Sequence, residues 1–151
     1  MKRKIIYILG IVVGIGALAF AYYAVSPLFR NIKVDEPLPE GKLETEQTFL
    51  AQVVGTTLHP ASGTVRIVET DGRNYIRYEN FKTINGPDIY VYLAKDLDAK
   101  DFINLGKVKA TEGNINYEIP DGINAANYKY VLTWCKQFGV LFNYAELPTT
   151  R

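Results

Sequence analysis

Cysteine and histidine are nearly absent from this sequence, which excludes several kinds of site. Cys135 is the one cysteine and His59 the one histidine in 151 residues. A single cysteine forms no intramolecular disulfide, no thioredoxin-type pair and no cysteine-cluster zinc site. A single histidine supplies neither a multi-histidine metal site nor a pair of haem ligands within the chain. Any thiol chemistry must therefore use Cys135 alone or with another molecule.

The usual catalytic and phosphate-binding motifs are missing too. The sequence has no Gly-x-Ser-x-Gly, no phosphate-binding glycine-rich loop and no His-Glu-x-x-His. It assigns no cofactor and no metal. Enzyme activity stays open, and the absence of these motifs favours a chain without independent catalytic activity.

Positive charge is scarce outside the first residues. Lys2, Arg3 and Lys4 are three of the 17 basic residues, so the remaining 14 face 16 acidic residues. No basic patch remains that would hold a phosphate backbone. We therefore expect no nucleic acid partner.

The stretch from Ile5 to Phe29 contains no charged residue. About twenty helical residues, each rising about 1.5 Å, cross the roughly 30 Å hydrocarbon core, so residues 1–29 are predicted to be a transmembrane anchor in contact with membrane lipid. The basic residues before the stretch favour a cytoplasmic N-terminus. We therefore predict a single-pass protein of the cell membrane with its C-terminal domain outside.

A cleaved signal sequence is the alternative for the same segment. Ala19-Phe20-Ala21 fits the small-x-small pattern of a cleavage site. Apolar residues continue through Val25, which favours the uncleaved anchor. Both interpretations place the following domain outside the cytoplasm.

Residues 30–48 are predicted to be a linker. Pro37, Pro39 and Gly41 stand among mixed charges, and no apolar periodicity is visible. This composition favours an extended, solvated tether.

Residues 49–148 have the composition of a β domain. The chain contains 11 Tyr and 7 Phe, and short runs of Val, Ile, Tyr and Thr alternate with Gly, Asn, Asp or Pro. This pattern is typical of antiparallel strands in a sandwich or barrel. We predict a single all-β domain of seven to nine strands.

The clearest local signal is a hairpin from Thr64 to Glu79. Asp71-Gly72 supplies the positive φ angles of a two-residue turn. The register then pairs Ile67 with Ile76 and Val65 with Tyr78 on an apolar face. Arg66 faces Arg77 on the other side. The two arginines could form a small anion site, but Glu79 lies on a diagonal and favours a plain solvated face.

Two further runs predict buried strands. Ile89, Val91 and Leu93 alternate with Tyr90 and Tyr92, which indicates a strand inside the sheet and covered on both faces.

The run from Tyr130 to Phe138 contains Trp134 and Cys135, which must point to opposite faces of their strand. Gly139 then ends the run before a last strand, Val140 to Leu147.

Two acidic features have structural and functional interpretations. Asp96, Asp98 and Asp101 could attract calcium, but interleaved lysines favour a solvated turn with Asp98 as a helix cap.

Asp88 follows Gly86-Pro87. It is either a functional carboxylate in a binding loop or a turn residue that holds backbone NH groups, and the turn is favoured.

Cys135 has two interpretations, as a packing residue or as a redox residue. A free cysteine on a central strand usually behaves as a small buried apolar residue. A redox thiol or metal ligand needs access and a nearby positive charge, and Lys136 is predicted to lie on the wrong face. His59 and Cys135 together would leave the shell of a soft metal ion incomplete.

An ordered set of short motifs in residues 49–147 resembles the DM-thirteen domain family, also called the electron-transfer DM domain. Each motif alone is weak evidence for the family, but the order of the motifs along the chain makes the whole set specific. The motifs are His59 with Ser62-Gly63, Phe81, Gly86-Pro87-Asp88, Tyr90-Val91-Tyr92-Leu93, Leu105-Gly106, Gly113-Asn114, Asn116-Tyr117, Ile119-Pro120, Trp134-Cys135, Phe138, Phe142 and Ala145-Glu146-Leu147.

The resemblance implies an extracytoplasmic β-rich module with a suspected redox role at the cysteine that matches Cys135. It also implies a separate electron partner, such as an envelope redox or haem protein, because no haem domain is attached here. We therefore expect a membrane-anchored redox accessory domain with Cys135 as the reactive or ligating group and Trp134 and His59 as candidate neighbours. The alternative is a noncatalytic ligand- or protein-binding module in which Cys135 is structural.

Overall fold

A computed structural model of the chain describes residues 2–41, 43–45 and 50–148. Within them, one helix precedes ten strands. The helix α1 covers Lys2–Val25, and a 3₁₀ turn, Ser26–Phe29, follows it. Pro27 disfavours the α conformation of Ser26, which explains the end of the α-helix at Val25. The helix is apolar and long enough to cross a membrane, and no residue of its most apolar stretch is buried within the chain.

The strands form one curled sheet, a half-barrel, so the predicted all-β domain after one apolar helix is confirmed. Neighbouring strands run antiparallel except β1 and β8, which are parallel. The spatial order is β1-β8-β5-β4-β3-β10-β9-β6-β7, with β2 beside β4. The bounds are β1 Lys33–Asp35, β2 Leu43–Thr45, β3 Ala51–Gly55, β4 Ala61–Thr70, β5 Arg73–Thr83, β6 Ile89–Ala94, β7 Phe102–Lys107, β8 Glu112–Glu118, β9 Tyr130–Cys135 and β10 Val140–Glu146.

Strand β3 joins the two halves of the sheet. Ala51 and Gln52 pair with β4, whereas the following residues through Gly55 pair with β10. Because β3 changes partner part-way along its length, the sheet bends there and its two halves face each other across the core. The buried residues of this core are Ala51, Val53, Val65, Ile76, Tyr78, Phe81, Val91, Leu93, Ala110, Ile115, Tyr117, Ile119, Val131, Ala145 and Leu147.

The β4–β5 hairpin has the predicted register. Asp71 and Gly72 have φ angles of 48° and 73°, and Val65 pairs with Tyr78 as expected. Val65 and Tyr78 are fully buried, which confirms the apolar face. The opposite face differs from the prediction because Arg77 is also buried, with 6% of its surface exposed.

Arg77 is buried because the predicted linker covers it. Its Nη1 donates to the carbonyl oxygens of Glu36 and Pro37 at 3.2 and 3.0 Å and to Asn116 Oδ1 at 2.8 Å. Its Nε donates to Glu79 Oε1 at 2.9 Å, and Arg66 Nη2 donates to the same oxygen at 2.8 Å. The two arginines therefore bind one carboxylate rather than forming an open anion site or a solvated face.

Two parts of the predicted linker, residues 30–48, join the sheet. Lys33–Asp35 pairs with β8 and Leu43–Thr45 pairs with β4. The expectation of a solvated tether is therefore wrong for these strands, because their backbone groups bond to the sheet. Residues 42 and 46–49, which include the predicted start of the β domain, lie outside the described residues.

Strand β6 lies inside the sheet between β7 and β9, as predicted. Strand β9 ends at Cys135, three residues before the predicted end at Phe138. Lys136–Gly139 forms a turn instead, in which Gly139 has a φ of 62°. The last strand follows directly from Val140, as expected, and ends at Glu146.

Candidate functional site

Cys135 is the last residue of β9, and its side chain points into the half-barrel. It is a free cysteine with 1% of its surface exposed. It pairs with Ile89 of β6 on one side and Val140 of β10 on the other. With Ile89 and Phe142 it forms a small buried cluster, separate from the main core, against which Ile84 and Val108 also pack. We call Ile89, Cys135 and Phe142 the Cys135 cluster.

A bulge in β10 places Phe142 in this cluster. Leu141 pairs with Trp134 and Asn143 pairs with Thr133, so Phe142 has no residue opposite it on β9. Such an extra residue bends the strand and redirects its side chain. Phe142 is 4% exposed and packs inward with Cys135.

His59 reaches the cluster by stacking on Phe142. The two ring centroids are 3.9 Å apart, and the ring planes are 19° from parallel. His59 lies in the loop between β3 and β4, where its Nδ1 shares a hydrogen bond of 2.8 Å with Thr56 Oγ1. The imidazole is half-buried, and loss of solvation lowers its pKa below the ordinary value.

The Gly86-Pro87-Asp88 loop approaches the edge of the Phe142 ring. A Cβ atom on Gly86 would lie 2.8 Å from Phe142 Cζ and 2.9 Å from Ile89 Cγ2, so only glycine fits without displacing these side chains. The loop therefore packs on the Cys135 cluster. Sequence reasoning named Gly86 as a binding-loop residue and did not see this packing role.

Asp88 lies in a turn, as the sequence favoured, but within the described residues its carboxylate pairs with Lys107 and not with backbone NH groups. Its Oδ1 lies 3.3 Å from Lys107 Nζ, and its carbonyl oxygen accepts from Lys136 N at 2.9 Å. The hydrogen bond that Lys107 donates to Asp88 is the main reason that the pKa of Lys107 is raised.

Trp134 lies on the outer face of the sheet, as its alternation with Cys135 predicts. It pairs with Tyr90 and Leu141 and packs against the outer cluster that contains Tyr92 and Leu132. Lys136 lies on the same side, with its Nζ 5.5 Å from the centre of the Tyr90 ring. The structure therefore brings His59 and Gly86 to the Cys135 cluster and leaves Trp134 and Lys136 across the sheet from it.

Sequence reasoning missed buried polar groups on the inner face. Asn143 Nδ2 donates to Thr83 Oγ1 at 3.0 Å between the two halves of the sheet. The hydroxyls of Tyr78 and Thr133 are buried and make no hydrogen bond of acceptable geometry in the described part of the chain. Burial raises the pKa of Tyr78 well above its ordinary value. Thr133 lies two residues before Cys135 on the same face, so β-strand alternation was the signal that could have found it.

Metal-ligating side chains do not cluster in residues 2–41, 43–45 and 50–148. No group of three or more His, Cys, Asp or Glu residues there is arranged to hold a metal ion.

The acidic loop confirms the predicted solvated turn, but its capping residue is Asp96 and not Asp98. Asp96 Oδ1 accepts from the backbone NH groups of Asp98 and Lys100 at 3.0 and 3.1 Å. No helix follows this loop. The predicted helix cap is therefore a turn.

A family model described as Electron transfer DM13 matches residues 52–147, which is more than half of the chain. The chain belongs to this family. The match begins inside β3 and ends one residue after β10, so it contains the Cys135 cluster, His59 and the Gly86 loop of the DM13 domain. No significant match is found among curated proteins or among solved structures.

Proposed function

We propose that this DM13 protein is a membrane-anchored, extracytoplasmic electron-transfer accessory domain with Cys135 as its redox group. Its electron partner would be a separate envelope redox or haem protein. The observation that carries the proposal is the convergence of Cys135, His59 and Gly86 on Phe142 inside a domain of the Electron transfer DM13 family.

The buried position of Cys135 supports electron transfer rather than direct thiol exchange. With 1% of its surface exposed, Cys135 offers no approach to a bulky disulfide or protein thiol. An electron can tunnel through packed side chains without contact between the reactants. Phe142 packs on the thiol and His59 stacks on Phe142, so these two rings connect the thiol to the half-exposed imidazole.

The oxidation of the Cys135 thiol by one electron defines what its partner must accept. When the thiol gives up one electron, it also releases its proton. The electron would pass to a one-electron acceptor of higher potential than the thiol, held by the separate partner protein, and the proton to water. The reverse step restores the thiol.

The N-terminal helix supports the anchor and its orientation. It is apolar enough to cross a membrane, and Lys2, Arg3 and Lys4 precede the charge-free stretch. Protease added to intact cells that express the full chain should digest the β domain. Protection of the β domain in intact cells, with digestion after permeabilisation, would contradict the proposed topology.

The proposed redox role is tested with the full chain in detergent. Its absorption spectrum, metal content and thiol alkylation at several pH values are compared with those of Cys135→Ser. A bound chromophore or metal that is lost in the variant supports a redox or ligating role for Cys135. A colourless, metal-free chain whose thiol reacts only after unfolding would contradict a ligating role and direct thiol chemistry, and would leave electron transfer through the packed side chains as the one redox role of Cys135.

The second candidate is a noncatalytic binding module in which Cys135 is packing. The enclosure of Cys135 by apolar side chains favours it. In that case Cys135→Ala would reduce stability without changing any redox property of the chain.

A further inference from the structure

The turn between β9 and β10 contacts the N-terminal helix. Tyr23 Oη donates a hydrogen bond of 2.9 Å to Gln137 Oε1. The rings of Phe20 and Phe138 meet edge to face with their centroids 6.4 Å apart. The turn Lys136–Gly139 therefore lies beside the last turns of α1 and not beyond its end.

The helix residues in these contacts belong to the charge-free stretch. About twenty residues from Ile5 onward are enough to cross the hydrocarbon core, which places the outer boundary near Ala24. Tyr22 and Tyr23 then occupy the position of the aromatic belt at the membrane surface. Because Phe138 packs beside Phe20, about one helical turn deeper than Tyr23, it reaches the upper part of the acyl chains.

The surface around this turn has the composition of a membrane interface. Phe138 and Val140 are 45% and 37% exposed, and Leu58 is 80% exposed. Leu58 lies at the same end of the sheet, because β3 and β10 are antiparallel and its neighbour His59 stacks on Phe142. Exposed lysines at positions 107 and 136 border the apolar residues, with each Nζ near the Tyr90 ring. We call Leu58, Phe138 and Val140 the apolar tip.

We propose that the apolar tip docks on the outer leaflet of the bilayer, with Phe138 and Leu58 among the acyl chains and Lys136 and Lys107 near the lipid phosphates. Apolar side chains bordered by basic ones bind interfaces in this way. This inference rests on the membrane anchor of the proposed function. It also deepens that function, because Cys135 is three residues from Phe138 and its electron partner would be reached along the membrane surface.

The test measures how deeply the apolar tip of the full chain enters the bilayer. Trp134 is the sole tryptophan, so Trp134→Phe provides a background without this fluorophore. Phe138→Trp and, separately, Leu58→Trp are added to this background. Each chain is reconstituted in phosphatidylcholine vesicles whose acyl chains are brominated near the headgroup, because bromine quenches tryptophan at short range.

A matched control reports on the far end of the sheet. Phe102 is 38% exposed, similar to Phe138, and begins β7 at the opposite end from Lys107. We expect several-fold stronger bromine quenching for Phe138→Trp and Leu58→Trp than for Phe102→Trp. The two tip variants lie on different loops, so Leu58→Trp reports the result if Phe138→Trp disturbs the fold.

Three results would overturn the docking. Equal, weak quenching at both ends would show that the tip stays in water. Blue-shifted emission without quenching would show that protein, such as a second copy of the chain, covers the tip. A chain that fails to sediment with vesicles after a salt wash would refute the anchor as well, whereas a sedimenting chain with an unquenched tip refutes the docking alone.

Discussion

The imidazole of His59 stacks on the ring of Phe142 with 3.9 Å between their centroids. This contact joins the β3–β4 loop to the Cys135 cluster, because Phe142 also packs on Cys135. The stack is therefore a structural link between the half-exposed imidazole and the buried thiol.

The partial burial of His59 predicts that the stability of the β domain depends on pH. Loss of solvation lowers the pKa of folded His59 below 6.5, its ordinary value, which also applies to the unfolded chain. The unfolded state therefore binds the proton more readily. The stabilisation is complete above about pH 6.5 and decreases as the pH falls through the folded pKa, with a slope of at most about 1.4 kcal/mol per pH unit.

Chemical unfolding between pH 8 and pH 5 measures this effect. His59 is the one histidine, so His59→Phe keeps a stacked ring and removes the group that titrates in this range. The slope should be smaller in the variant. The same slope in both proteins would show that His59 does not cause it.

Gly86→Ala should destabilise the domain. The new Cβ would lie 2.8 Å from Phe142 Cζ, so Phe142 or the loop must move. Overpacking of this kind costs about 1–3 kcal/mol in the free energy of unfolding. Gly139→Asn is the control, since Gly139 has open space and a φ of 62° that asparagine tolerates. Equal effects of the two substitutions in thermal unfolding would refute the steric argument.

Glu79→Gln should lower the free energy of unfolding, because Arg66 and Arg77 then lose the carboxylate that they share. Burial raises the pKa of Glu79, but hydrogen bonds from Arg77 and Arg66 outweigh it and lower the pKa overall. We expect a loss of about 2–3 kcal/mol, less than for a fully buried pair because Arg66 and Glu79 reach solvent. The control Asp98→Asn breaks an exposed pair with Lys100 and should leave the unfolding midpoint unchanged. A small effect of Glu79→Gln would mean that water replaces the carboxylate.

Gly113→Val should detach the strand β1 from the sheet. A Cβ at Gly113 would overlap the carbonyl oxygen of Val34, and the φ of 119° adds backbone strain. Trypsin should then cleave after Lys33 faster than in the wild-type chain. Gly106→Val has a similar φ of 116° and open space, so it tests strain without this overlap. Equal cleavage of the two variants would contradict the docking of β1.

Local turn chemistry explains why the β4–β5 register was predictable. Asp71-Gly72 determines the turn, and the turn then pairs Val65 with Tyr78 through purely local geometry. The strand β1 was not predictable in this way. Its partner β8 is 79 residues away, as in the pair Lys33 and Glu112, and its docking depends on the missing side chain of Gly113.

The candidate site was predictable only in part. Alternation along β9 placed Cys135 and Trp134 on opposite faces of the sheet without any structure. The meeting of His59 and Gly86 at Phe142 depends on the β10 bulge and on two loops from distant parts of the chain. Such contacts come from tertiary packing, which a single sequence does not encode in its local pattern.

The most direct test of Cys135 as a redox group compares two rates in the full chain in detergent. Ferricyanide takes one electron from a thiol as the thiol proton passes to water, whereas iodoacetamide must reach the sulfur itself. We predict that the wild-type chain reduces ferricyanide faster than its thiol is alkylated, and that Cys135→Ser abolishes this reaction. Oxidation no faster than alkylation, or unchanged in Cys135→Ser, would contradict electron transfer through Cys135.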